Sequence, residues 1–93
     1  MYNKLTLKTI NKYNKNFFIH LIIIFIFTNL YYFLSPYSNE EDNNVFGESW
    51  ERNLYYSTLT HFTIGFGDIT PKSKLFRRLT MCQVILAFLF FNL

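Results

Sequence analysis

The stretch SWERNLYYSTLTHFTIGFGDITP, residues 49–71, decides how this chain is read. Its first half has helical character. Ser49 offers an N-cap oxygen, and Glu51 falls in the first turn, where the helix dipole favours an acid. A helix from there to His61 reaches only about 18–20 Å, too short to cross a bilayer. Thr63-Ile64-Gly65-Phe66-Gly67-Asp68 follows, and its two spaced glycines permit backbone angles that a Cβ would resist. A short, half-apolar helix running into such a segment between two apolar blocks reads as a re-entrant element.

The blocks on either side set the class. Residues 17–34, FFIHLIIIFIFTNLYYFL, are eighteen in number and carry no formal charge. Residues 79–93, LTMCQVILAFLFFNL, add fifteen more. Neither is amphipathic, and a helix apolar all round must lie in a large protein or in lipid. A chain of 93 residues cannot surround two such helices, so lipid is the better reading. Eighteen residues span about 27 Å, close to a hydrocarbon core of roughly 30 Å. The second block reaches about 28 Å when extended back to Leu75, provided Arg77 and Arg78 snorkel at one interface. A signal peptide is the alternative for the first block, but the run is long, aromatic and followed by no small-residue cleavage site.

Composition narrows the function. Aromatic residues make up 22% of the chain, and the net charge is a modest +3. A single cysteine, Cys82, excludes a disulfide framework and a Cys-rich zinc site; it reads as an ordinary small apolar residue. Lys4, Lys8, Lys12 and Lys15 share one face of a helix, as expected of a membrane-interface segment with its lysines toward lipid phosphates. A disordered basic arm is the alternative. Nucleic-acid binding is disfavoured, because the basic segment runs straight into a span. Residues 35–48 are polar and acidic and read as a solvated outer loop, with Tyr31, Tyr32, Tyr37 and Trp50 clustered at one membrane interface.

Residues 63–68, TIGFGD, resemble the selectivity-filter signature of potassium channels, T-V-G-Y-G-D or T-V-G-F-G-D. Together with FxIHL at residues 17–21 and THxTxGFGD at residues 60–68, followed by a proline, the chain is similar to the miniature potassium channels encoded by large viruses of algae, the Kcv type. The resemblance implies an all-α membrane protein, a homotetramer with two transmembrane helices per chain, a re-entrant pore helix and a selectivity-filter loop. Its parts would be an interfacial helix or basic arm at 1–16, spans at 17–35 and 75–93, an outer loop at 36–48, a pore helix at 49–62 and the filter at 63–68. It also implies a potassium-selective channel and no enzyme, with K⁺ as the permeant ion, no cofactor, and the lipid bilayer and other copies of itself as partners. Both termini would be cytoplasmic, in a host-cell or virion membrane. Counting Lys and Arg does not decide orientation, with four in the N-terminal arm and five in the connecting segment.

The chemistry can be argued from the residues. An ion entering a pore must exchange water for other oxygens, and rings of backbone carbonyls supply them when four chains converge. Non-helical backbone at membrane depth is tolerated only where it lines a water-filled path. By resemblance, K⁺ is coordinated by Thr63, Ile64, Gly65 and Phe66, with Gly67 completing the filter. The Thr63 hydroxyl adds an oxygen at the inner end. The Ile64 and Phe66 side chains are expected to pack behind the filter. Asp68 stands at the outer mouth, attracting cations or pairing with a nearby base; Arg77 or Arg78 could pair with Glu48 or Glu51. Phe66 replaces the commoner tyrosine, Phe62 stands where a small hydroxyl residue is frequent, and no acid directly precedes the filter.

Several side chains are expected to be structural. His20 suits an inter-helix hydrogen bond near the interface better than a functional role, and His61 suits packing better than a titrating gate. The second span holds no Asp or Glu, so strong rectification by polyvalent cations is not expected. It also lacks Gly and Pro, so no sharp hinge is expected. Two rival classes remain: a small membrane-anchored interaction protein without a pore, and a non-selective cation pore of the same architecture.

Overall fold

No glycine or proline interrupts the chain before Pro36, and the helix that results is long. In the computed structural model, which describes the backbone of residues 4–91 and the side chains of residues 16–91, helix α1 covers Lys4–Leu34. It runs without a break past residue 16, where an interfacial helix was expected to give way to the span. The side chains of Lys4, Lys8, Lys12 and Lys15 lie outside the described residues. Pro36 disfavours helical backbone at Ser35, and the chain leaves α1 through a 3-10 turn, Ser35–Tyr37.

The acidic stretch expected as a solvated loop is a folded element. Helix α2, Glu40–Phe46, starts at Asn39, whose side chain accepts from Asp42 N at 2.8 Å. Three acids, Glu40, Glu41 and Asp42, occupy its first turn. Hydrophilic composition hid the two residues that anchor it: Phe46 and Asp42 are both buried. Helix α3, Trp50–His61, is capped by the Ser49 hydroxyl, which accepts from Arg52 N at 3.1 Å. Helix α4, Lys74–Phe91, begins after Ser73, whose hydroxyl accepts from Phe76 N at 3.2 Å.

Four rings hold the elements together. Tyr31 of α1, Phe46 of α2, Tyr56 of α3 and Phe76 of α4 form one cluster. Tyr31 lies 5.2 Å from Tyr56 and 5.6 Å from Phe76, and Phe46 lies 4.8 Å from Phe76. Edge-to-face and tilted pairs of this kind contribute about 0.5–1.5 kcal/mol each beyond their buried area. Around them α1 packs on both α3 and α4.

The outward face of α1 is as apolar as the inward one. Ile23, Ile24, Phe27 and Tyr31 are buried, whereas Leu21, Ile22, Phe25, Ile26 and Phe33 are exposed. An exposed apolar strip of that length is stable against lipid and costly against water. Residues 16–37 form a stretch long and apolar enough to cross a membrane. Helix α4 carries Lys74, Arg77 and Arg78 in its first two turns, and its apolar run begins at Leu79.

Candidate functional site

The end of α3 is built to turn the chain sharply. Phe62 N donates to Thr58 O at 3.1 Å, Thr63 N to Thr60 O at 3.1 Å, and Ile64 N to Leu59 O at 2.9 Å. The last two bonds, with Thr63 at φ 60°, make a Schellman motif. Glycine usually fills that left-handed position; here a β-branched residue does, so the backbone is strained. The Thr63 hydroxyl donates to Phe62 O at 2.6 Å.

Gly65 at φ 53° and Gly67 at φ 82° adopt the left-handed backbone that glycine accepts without cost. A Cβ at either position would meet nothing within 4 Å, so a substitution would act through the backbone angle and not through a clash. Residues 62–68 are all exposed in the single chain. Ile64 is 53% and Phe66 71% exposed, so this chain's own residues do not provide the packing expected behind the filter. Beside the segment runs an open groove of about 360 Å³ lined by Tyr56, Thr60, Gly65, Gly67 and Val84 among others.

At the far end of this segment the Tyr55 hydroxyl donates to Asp68 Oδ2 at 2.9 Å. The bond ties the chain after Gly67 back to the middle of α3. It raises the pKa of the Tyr55 phenol, because losing the proton would break the bond and place two negative charges together. Asp68 thus has a tyrosine partner and no Lys or Arg partner among the described ion pairs. Glu48 pairs with Arg52, one helical turn away, and the Arg77 guanidinium donates to Pro71 O at 3.2 Å. The pairing of Arg77 or Arg78 with Glu48 or Glu51 is therefore not what forms. An i,i+4 pair across the start of α3 is shorter-range and wins.

Three buried groups that sequence reasoning did not single out join the elements around the segment. Asp42, 1% exposed, accepts from Lys72 N at 2.9 and 3.1 Å and from Ser73 N at 2.7 Å, fixing the chain where it leaves the site and enters α4. Gln83 accepts from the Tyr31 hydroxyl at 2.9 Å and donates to Ser57 O at 3.1 Å and Ser57 Oγ at 2.9 Å. Asn53 donates to Phe46 O and Ser49 O, pinning α2 to α3. An amide in the middle of an apolar block was the available signal for Gln83; nothing in the sequence distinguished Asp42 from its acidic neighbours.

At the base of α3, His20 Nδ1 and His61 Nε2 lie 2.7 Å apart. The two histidines bond to each other, so His61 faces α1. Phe91, at the end of α4, stacks on His20 with centroids 4.0 Å apart. Cys82 is a free cysteine exposed on α4.

Comparison with known proteins agrees with this architecture. A family model described as an ion channel matches residues 19–93. The potassium channel protein kcv of Paramecium bursaria Chlorella virus 1 is 34% identical over 76 residues, which cover 77% of this chain and 80% of that protein. No solved structure matches the chain. The matched region runs from the first apolar helix through the glycine-spaced segment to the end of α4, and on that extent the chain belongs to the ion channel family.

Proposed function

We propose that the chain is a potassium channel: four copies close around one axis, and residues 63–68 of each line a filter of backbone oxygens that conducts K⁺ passively. One observation carries the reading. Gly65 and Gly67, both at positive φ, alternate with Ile64 and Phe66 in an exposed segment directly after a short helix. Such a backbone can turn successive carbonyls toward one side, and four of them replace the hydration shell of a dehydrated ion. One chain is too small to enclose a pore, and closed cyclic symmetry supplies the missing walls. The exposed Ile64 and Phe66 side chains then pack against the neighbouring copy.

Helices α1 and α4 are the two spans, and α3 re-enters the membrane with its C-terminal end toward the central cavity, where its partial negative charge favours a cation. Asp68 stands at the outer mouth. Both termini lie on the cytoplasmic side, with Lys4, Lys8, Lys12 and Lys15 toward lipid phosphates. The similarity to a viral protein named as a potassium channel supports the choice of ion.

Purified protein in planar bilayers tests this. In a K⁺/Na⁺ gradient the reversal potential is expected near the K⁺ value. Gly65→Ala is expected to remove the current while the protein still enters the membrane, because the added Cβ costs about 1–2 kcal/mol at a left-handed φ and turns a carbonyl out of line. An impermeable assembly, equal passage of Na⁺, or selective current through Gly65→Ala overturns the proposal.

A further inference from the structure

The apolar side chains between α1, α3 and α4 hold the helices together but do not set their height along one another. Dispersion contacts lack direction, and lipid offers no hydrophobic force to choose one register over the next. Directional bonds are needed: His20–His61 and Asn29–Trp50 each join α1 to α3 alone, and Tyr56–Thr80 joins α3 to α4 alone, whereas one buried group joins all three helices. Gln83, fully buried, accepts from the Tyr31 hydroxyl of α1 and donates to both oxygens of Ser57 on α3. The Ser57 hydroxyl donates in turn to Ile24 O of α1 at 3.0 Å, and Thr28 Oγ1 donates to the same carbonyl at 2.7 Å. Tyr31, Ser57 and Thr28 are fully buried as well.

We infer that Gln83 is a positioning residue for ion selectivity: it locks α3 in register against α1 and α4, and through α3 it sets where the filter begins. Ser57 lies one turn before His61, and the bonds from Thr63 to Thr60 O and from Ile64 to Leu59 O hang the filter's first residues directly on that last turn. An axial slip of α3 would strain the two bonds from Gln83 to Ser57 and the bond from Ser57 to Ile24 O, and would carry Thr63 and Ile64 with it. Filter carbonyls discriminate ions of similar radius only while their separation is held. An amide is suited to the position because it donates and accepts at once, and neither an aliphatic residue nor a hydroxyl at residue 83 reaches both neighbours.

The second α3–α4 link is weaker in this respect. Tyr56 Oη and Thr80 Oγ1 lie 2.8 Å apart, but both ends of this link are side-chain hydroxyls, and the long Tyr56 side chain can follow a sliding partner by small rotations. Gln83 meets a backbone carbonyl, which cannot follow without moving its helix.

The inference rests on the channel reading above, and the test separates the two. Full-length wild-type protein, Gln83→Met, Tyr31→Phe and Ser57→Ala are reconstituted in planar bilayers, and the open-channel K⁺/Na⁺ permeability ratio is read from reversal potentials, with oligomer recovery measured on the same samples. Wild type must favour K⁺; if it does not, the channel reading itself falls. With wild type selective, Gln83→Met, similar in length and volume, is expected to lower the ratio about tenfold, the change that 1.4 kcal/mol produces. Tyr31→Phe and Ser57→Ala are expected to lower it by a smaller factor, and Tyr31→Phe should add nothing on top of Gln83→Met, which already removes the Tyr31–Gln83 bond. A purely structural role would reduce oligomer recovery and leave the ratio of surviving channels unchanged. That result for Gln83→Met, or for both Tyr31→Phe and Ser57→Ala should Gln83→Met not assemble, overturns the inference.

Discussion

Replacing Asp42 by asparagine removes one charge and almost no volume, so its effect isolates the carboxylate. Both oxygens are engaged: one accepts from Lys72 N at 2.9 Å, the other from Lys72 N at 3.1 Å and from Ser73 N at 2.7 Å. The residue is 1% exposed, so water cannot take over. Two helix starts also converge on it, its own first turn in α2 and the first residues before α4. Asparagine keeps one carbonyl oxygen and turns an amide N–H against a backbone N–H. Loss of a charge-assisted hydrogen bond costs about 1.5–3 kcal/mol, and loss of the negative charge at a helix start about 0.3–1 kcal/mol more. The expected destabilisation is about 2–4 kcal/mol. The assay is reversible unfolding of the purified protein in mixed micelles, titrated with SDS and followed by circular dichroism. Glu41→Gln is the control: it sits in the same first turn but is exposed, and it should fall within about 0.5 kcal/mol of wild type. If Asp42→Asn unfolds together with Glu41→Gln, the carboxylate is not holding the start of α4 and the argument fails.

Other perturbations follow from the same geometry. Tyr55→Phe removes the donor to Asp68 and is expected to shorten open-channel bursts in single-channel recordings while the protein's stability changes by less than about 1 kcal/mol; unchanged bursts would show that the bond does not steady the outer end of the filter. Glu48→Gln breaks the pair with Arg52, whose partners are 59% and 37% exposed, and SDS unfolding should shift by no more than about 1 kcal/mol. His61→Phe leaves the His20 imidazole buried without its partner and should cost about 1–3 kcal/mol. Replacing both histidines by phenylalanine should cost less than the sum of the two single changes, and a strictly additive double variant would contradict the pairing.

The order of elements was legible because its causes are local. An uninterrupted apolar run, a proline after it, a serine cap at residue 49 and two spaced glycines each act within a few residues of themselves. The same locality explains why the channel signature could be seen in six residues. Where expectation and structure part, the cause is composition read as environment. Residues 35–48 are acidic and were expected in solvent, yet Phe46 and Asp42 are buried and a helix forms between two cap signals, Asn39 and Gly47. The packing behind the filter was assigned to Ile64 and Phe66, and the single chain leaves both exposed.

By itself, the sequence determined the two apolar helices, the short helix between them and the glycine backbone that can serve an ion, since each depends on nearest neighbours along the chain. Only the tertiary structure decided which polar groups hold these parts in place. Asp42 finds Lys72 and Ser73, His20 finds His61, and Tyr31 finds Gln83 across 30, 41 and 52 residues. No local propensity encodes such partners. They are chosen because a polar group shut away from water must meet another, and only the packed helices determine which one lies within reach.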